Sequence, residues 1–99
     1  MAKRKIVWTQ KANIERKDIL EYWISKNKSK TYSIKLNKLF IESVKLISEY
    51  PNIGRQTSDV NSRISIVRDY LIFYEINEKE IVVHSVWDGR RDENQLISR

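Results

Sequence analysis

Two arginines stand side by side in VWDGRRDENQL (Val86 to Leu96), just past the most apolar run of the chain, IVVHSVW (Ile81 to Trp87). A guanidinium is a planar fork that pairs with phosphate or carboxylate through two parallel hydrogen bonds. Gly89 permits a sharp backbone turn just before them. The spacing therefore predicts a built turn that aims Arg90 and Arg91 back toward Arg63 or Arg68, as the positive end of a concave, partner-facing surface. The competing reading is a solvated tail in which Asp88 and Asp92 neutralise the pair. Trp87, at the strand end, could stack on a base or cap the core. Arg68 could serve the same surface or pair with Asp69 or Glu75, and Arg55 could contact a partner or only brace a loop. His84 is the sole imidazole, the one side chain that titrates near neutrality when unperturbed. It reads either as a general base or as a strand histidine satisfied by a neighbour, on one face with Val82 and Val86. Tyr74 could donate a proton or stack, or simply pack with Tyr70 and Ile72.

Composition narrows the chemistry. The chain has 99 residues, with 40% hydrophobic residues and no cysteine. That length suits one domain, 1–99, with a modest core. Without cysteine there is no disulfide framework, no thiolate metal site and no cysteine nucleophile. A single histidine cannot build a histidine-rich metal site, so neither metal nor other cofactor is expected. The opening MAKRKIVW is basic, but its apolar stretch is too short for an export signal, and no run is long enough to span a membrane. A reducing cytoplasm fits these features. Nineteen Lys and Arg against thirteen Asp and Glu give +6, which favours an anionic partner. Lysines dominate up to Lys45 and arginines from Arg55 onward. Lysine on helices is commonly a solvated face, whereas arginine in loops and strands is more often a recognition group.

The elements that must position these residues follow from periodicity. KIVWT (Lys5 to Thr9) alternates as a strand. Gln10 to Lys26 has helical spacing, with Ala12, Ile19, Tyr22 and Trp23 on one side. KNKSK (Lys26 to Lys30) breaks the pattern, and Ser29 is a candidate cap for a second helix reaching about Tyr50. Leu36, Leu39, Phe40, Val44 and Ile47 form its stripe, and Pro51 ends it. Pro51 to Ser62 reads as a loop. Three strands follow: Arg63 to Arg68, Tyr70 to Asn77 and Glu80 to Trp87. They are joined by turns at Asp69-Tyr70 and Glu78-Lys79, and the last is apolar on both faces like a central strand. The order is β-α-α-β-β-β, with a polar tail that has room for one more helical turn.

YPNIGR (Tyr50 to Arg55), IVRDYLIFYEI (Ile66 to Ile76) and IVVHSVWDGRRD (Ile81 to Asp92), in this order and spacing, resemble the RelE/ParE superfamily of small bacterial toxins from type II toxin–antitoxin modules. The resemblance spans nearly the whole chain. It implies an α+β fold, a helical hairpin packed on one face of a small, mostly antiparallel sheet. It also implies a cognate acidic antitoxin that wraps the toxin in a hetero-oligomer. Two activities come with it. ParE-like members poison DNA gyrase, and RelE-like members cut mRNA on the ribosome. The nuclease needs a base for the ribose 2′-hydroxyl, cations for the pentavalent phosphate and an acid for the leaving oxygen. Here His84, Tyr74, Arg63 and Arg68 are the set that could supply them. The chain departs from the nuclease pattern, however. Tyr70 is followed by Leu71 where those enzymes commonly carry arginine, and no tyrosine follows Arg91. The resemblance is therefore closer to the ParE-like branch, with Arg90, Arg91, Trp87, Arg68, Arg63 and Arg55 as candidate target- or antitoxin-binding residues. A non-toxic member that only binds its antitoxin is a third reading.

Overall fold

The computed structural model describes residues 3–90. Its elements are β1 (Lys5–Trp8), α1 (Gln10–Asn27), α2 (Thr31–Glu49), a 3-10 turn (Pro51–Ile53), β2 (Arg55–Gln56), β3 (Ser62–Val67), β4 (Tyr70–Ile76) and β5 (Glu80–Asp88). They build an α+β fold, a helical hairpin over a five-stranded sheet of order β1-β5-β4-β3-β2. Among the described residues, β1 and β5 run parallel and the other pairings are antiparallel.

Local chemistry sets the helix ends. The Thr9 side chain accepts the Ala12 amide at 3.1 Å and caps α1, which supplies a partner for one of the orphan first-turn donors. Lys28 ends the helix in the left-handed region, φ 51°. Ser29 Oγ then accepts the Thr31 amide at 3.2 Å at the start of α2. Pro51 follows Tyr50 directly, and α2 stops there.

Leu36, Phe40, Val44 and Ile47 are buried along one side of α2, and Ala12, Ile19, Leu20 and Trp23 face inward from α1. They meet Tyr70, Ile72, Tyr74, Ile81, Val83 and Val86 on the covered face of the sheet. Full burial of such side chains contributes about 1.5–3 kcal/mol each. Ser33 fits where the helices approach, its Oγ donating to the Leu20 carbonyl at 2.6 Å.

The structure corrects the sequence expectations in four places. Tyr22 is 52% exposed, not part of the core stripe. The segment Pro51 to Ser62 is not all loop: it holds the 3-10 turn and β2, which pairs Arg55 with Ile64 and Gln56 with Arg63. The tight turn between β3 and β4 lies at Arg68 and Asp69, with Tyr70 already in β4. Finally, β5 carries a bulge. Tyr74 pairs with Val83 but Phe73 pairs with Ser85, so His84 is the extra residue. The bulge breaks alternation. Val86 therefore faces the helices, while His84 stays on the uncovered face. The expected tail turn lies outside the described residues.

Candidate functional site

Glycine makes the turn after β5 possible. The Gly89 amide donates to the Asp69 carbonyl at 2.7 Å, and a Cβ there would lie 2.9 Å from that oxygen. The turn then directs Arg90 back over the sheet end. Its Nε and Nη2 donate to the two Asp88 carboxylate oxygens at 3.2 and 3.3 Å, and Nη1 lies 3.8 Å from Asp69 Oδ2. The guanidinium carbon sits 5.6 Å from the centre of the Trp23 ring. The hydrogen bond to Asp88 raises the Arg90 pKa above its ordinary value, helped by the Asp88 charge. Beneath it, Trp23 Nε1 donates to the Tyr70 hydroxyl at 2.6 Å. Arg91 lies outside the described residues.

Arg68 is at the same end of the sheet, exposed, with φ 58°. Glu75 pairs with His84 instead of Arg68, His84 Nε2 lying 2.8 Å from Glu75 Oε1. Arg63 is elsewhere. Its Nη1 donates to the Gly54 carbonyl at 2.7 Å and to that of Asn52 at 3.3 Å. It therefore braces the 3-10 turn at the far end of β3 and does not meet Arg90. Arg55 is exposed on β2 at the sheet edge. Trp87 is half-buried on the uncovered face, its ring 6.2 Å from Phe73 in an edge-on contact.

Tyr74 is 1% exposed on the covered face. Its hydroxyl donates to the Pro51 carbonyl at 2.8 Å and accepts the Gly54 amide at 3.0 Å. Burial pushes its pKa up, against the bond from Gly54. Of the four residues that could have formed a nuclease set, Arg63 and Tyr74 are cross-strand neighbours that both bond Gly54, but His84 and Arg68 lie apart from them. His84 is on one face, Tyr74 is under the other, Arg63 is locked to carbonyls and Arg68 is at the opposite strand end.

One surface escaped the sequence reading. A groove of about 390 Å³ runs between α2 and the sheet edge, lined by Leu46, Ile47, Ile53, Arg55, Ile64 and Ile66 among others. Leu46 is 45% exposed, Ile53 54% and Ile66 57%. Beside it, β2 pairs only with Arg63 and Ile64. The outer edge of β3 beyond Ile64 therefore has no strand partner among the described residues. An apolar groove with an open sheet edge and an arginine at its rim can take an extended or amphipathic acidic segment by strand addition. The signal was present in Leu46, an apolar residue of α2 that falls off its core stripe.

Glu15 also went unnoticed. From α1 its Oε1 accepts Ser85 Oγ at 2.8 Å and the Val86 amide at 3.0 Å, fastening the helix to the bulge.

A family model described as ParE toxin of type II toxin–antitoxin system, parDE, matches residues 6–93. A solved chain from the chromosomal ParDE TA system of P. aeruginosa aligns with a TM-score of 0.71 at 17% sequence identity. The match covers 84% of this chain and 92% of that one. At this identity the likeness speaks for the fold. No curated protein matches the sequence.

Proposed function

The chain belongs to the ParE toxin family of type II toxin–antitoxin systems, and from that membership we propose that it arrests growth by poisoning DNA gyrase in the cytoplasm and is silenced by an acidic antitoxin. The observation that supports this reading over mRNA cleavage is the separation of the candidate acid, Tyr74, from the candidate base, His84. Tyr74 has its hydroxyl buried between the Pro51 carbonyl and the Gly54 amide, on the other side of the sheet from His84. A general acid and base must both reach the reacting atoms in one substrate pose. What the surface offers is binding: guanidiniums at one end, an apolar groove with an open edge at the other.

The antitoxin reading rests on the groove. A segment seated there would pair with the edge of β3, place apolar side chains against Leu46, Ile53 and Ile66, and set a carboxylate opposite Arg55. The deciding experiment incubates purified toxin with gyrase, supercoiled plasmid and ATP, then denatures the protein and looks for linear DNA. Expected is accumulation of cleaved plasmid that co-purified antitoxin abolishes. Primer extension on mRNA from induced cells provides the opposite arm. Defined transcript cuts with no trapped gyrase would replace this reading with the nuclease.

A further inference from the structure

We infer that the tip of the helical hairpin docks on the phosphate backbone of duplex DNA, through Lys26, Lys28 and Lys30 with Arg90 beside them. The inference rests on the gyrase reading, in which duplex DNA is part of the target. Between Glu21 and Glu42 the chain carries five lysines and no acidic residue. The fold gathers three of them at one reversal. The left-handed Lys28 turns the backbone, and Lys26, Lys28 and Lys30 are all exposed. Lys26 Nζ lies 5.8 Å from the centres of both the Tyr22 and Trp23 rings. Arg90 lies over the same Trp23, so cations from the hairpin and from the end of β5 converge on one surface. The carboxylates of Asp69 and Asp88 are engaged by Arg90. None pairs with Lys26, Lys28 or Lys30 among the described residues.

The chemistry favours a duplex over a single strand. Single strands are held largely by bases stacking on open aromatic faces. Trp23 is occupied: Tyr22 and Tyr32 meet it edge-on at 5.2 and 5.0 Å, Arg90 covers the ring and Nε1 is bonded to Tyr70. Lysine ammonium groups on a convex tip read phosphate, not sequence. The tip is also separate from the groove. Sixteen residues of helix from Lys30 to Leu46 span about 24 Å at the α-helical rise.

The test measures anisotropy of a labelled, mixed-sequence duplex titrated with the full-length toxin across a salt series. Two variants are compared with wild type: Lys26→Gln, Lys28→Gln, Lys30→Gln at the tip, and Lys11→Gln, Lys17→Gln, Lys45→Gln elsewhere on exposed helix surface. Both lose the same charge. Expected is salt-sensitive binding by wild type and the second variant. The tip variant should bind at least tenfold more weakly, its log–log salt slope shallower by about 0.9 per lysine lost. Equal weakening of both variants would mean that net charge alone acts, and would overturn the inference. So would no binding by wild type at low salt, or tighter binding of a single-stranded RNA of equal length. This assay contains no gyrase. A wild type that fails to trap gyrase therefore removes the gyrase reading while the duplex result still decides the surface.

Discussion

Arg90 is the residue on which sequence and structure meet. About half of its side chain is open to solvent (49%), yet it is fixed by Asp88, Asp69 and the Trp23 ring. Its removal with Arg91 should cost little stability, about 0.5 kcal/mol as for most surface changes. A charge-assisted hydrogen bond to a partner contributes about 1.5–3 kcal/mol. Arg90→Ala with Arg91→Ala is therefore expected to keep the wild-type circular dichroism and melting curve while growth inhibition falls tenfold or more. Unchanged potency in a folded double variant would identify a solvated tail. Tyr74 is the opposite kind of residue, buried and bonded at both lone pair and proton. Tyr74→Phe leaves the Gly54 amide and the Pro51 carbonyl without this partner, at about 1–3 kcal/mol, measurable as a lower urea midpoint. Burial also pushes the Tyr70 and Tyr74 hydroxyls above the ordinary tyrosine value of roughly 10. With folded pKa values raised, their contribution is complete below that pH and is lost as pH rises toward and through the folded values. Stability should thus fall in alkali, and Tyr74→Phe should fall less steeply than wild type. Parallel wild-type and variant profiles above pH 10 would refute this part.

At the scale of elements, the bulge in β5 and the edge of β3 determine what the sheet presents. Glu15 on α1 accepts the Val86 amide just past the bulge. Glu15→Ala should cost about 1–3 kcal/mol and speed hydrogen exchange at Val86 ahead of β4 amides; uniform exchange across the sheet would show that the contact carries no local weight. The groove beside β3 is open to a direct trial. Leu46→Asp with Ile66→Asp changes two half-exposed side chains, so the toxin should fold, yet the carboxylates would meet an acidic antitoxin. Antitoxin affinity measured by calorimetry should drop by tenfold or more. Wild-type affinity would move the antitoxin to another face. This pair of elements was only partly legible beforehand. Alternation located β3 and a run apolar on both faces located β5, but β2 is two residues long and has no period to read. Its strand character comes from pairing with β3.

For the whole molecule, a core this small gains much from a partner. A ligand at 100 times its dissociation constant adds about 2.7 kcal/mol, a large fraction of the marginal stability of a small domain. The toxin should be hard to obtain alone and should melt at a clearly higher, antitoxin-concentration-dependent temperature in the complex. Equal midpoints with and without a tightly bound antitoxin would contradict this. The two surfaces should also differ in salt response. An antitoxin seated in the groove would combine apolar burial with charge pairing, so its affinity should decline gently with salt. Duplex at the hairpin tip should be released steeply, because DNA recovers condensed counterions.

The amino-acid sequence by itself determined the elements and the kinship. Helical spacing in α2, the Ser29 side chain at its start, Pro51 and the alternation of β3 are local features, fixed by backbone sterics and by which side of an element is apolar. The order of YPNIGR, IVRDYLIFYEI and IVVHSVWDGRRD pointed to the RelE/ParE superfamily, and Leu71 after Tyr70 with no tyrosine after Arg91 pointed to its ParE-like branch. Tertiary structure alone decided which side chains share a place. Arg63 and Arg68 look equivalent on one strand, yet Arg63 is drawn to the carbonyls of the 3-10 turn and Arg68 is left at the other end. The alternation that put His84 with Val86 failed because one extra residue in β5 shifts every later side chain to the other face. The groove needed α2, the 3-10 turn and β3 together. None of these depends on neighbours in sequence: each arises from packing contacts between segments that periodicity reads one at a time.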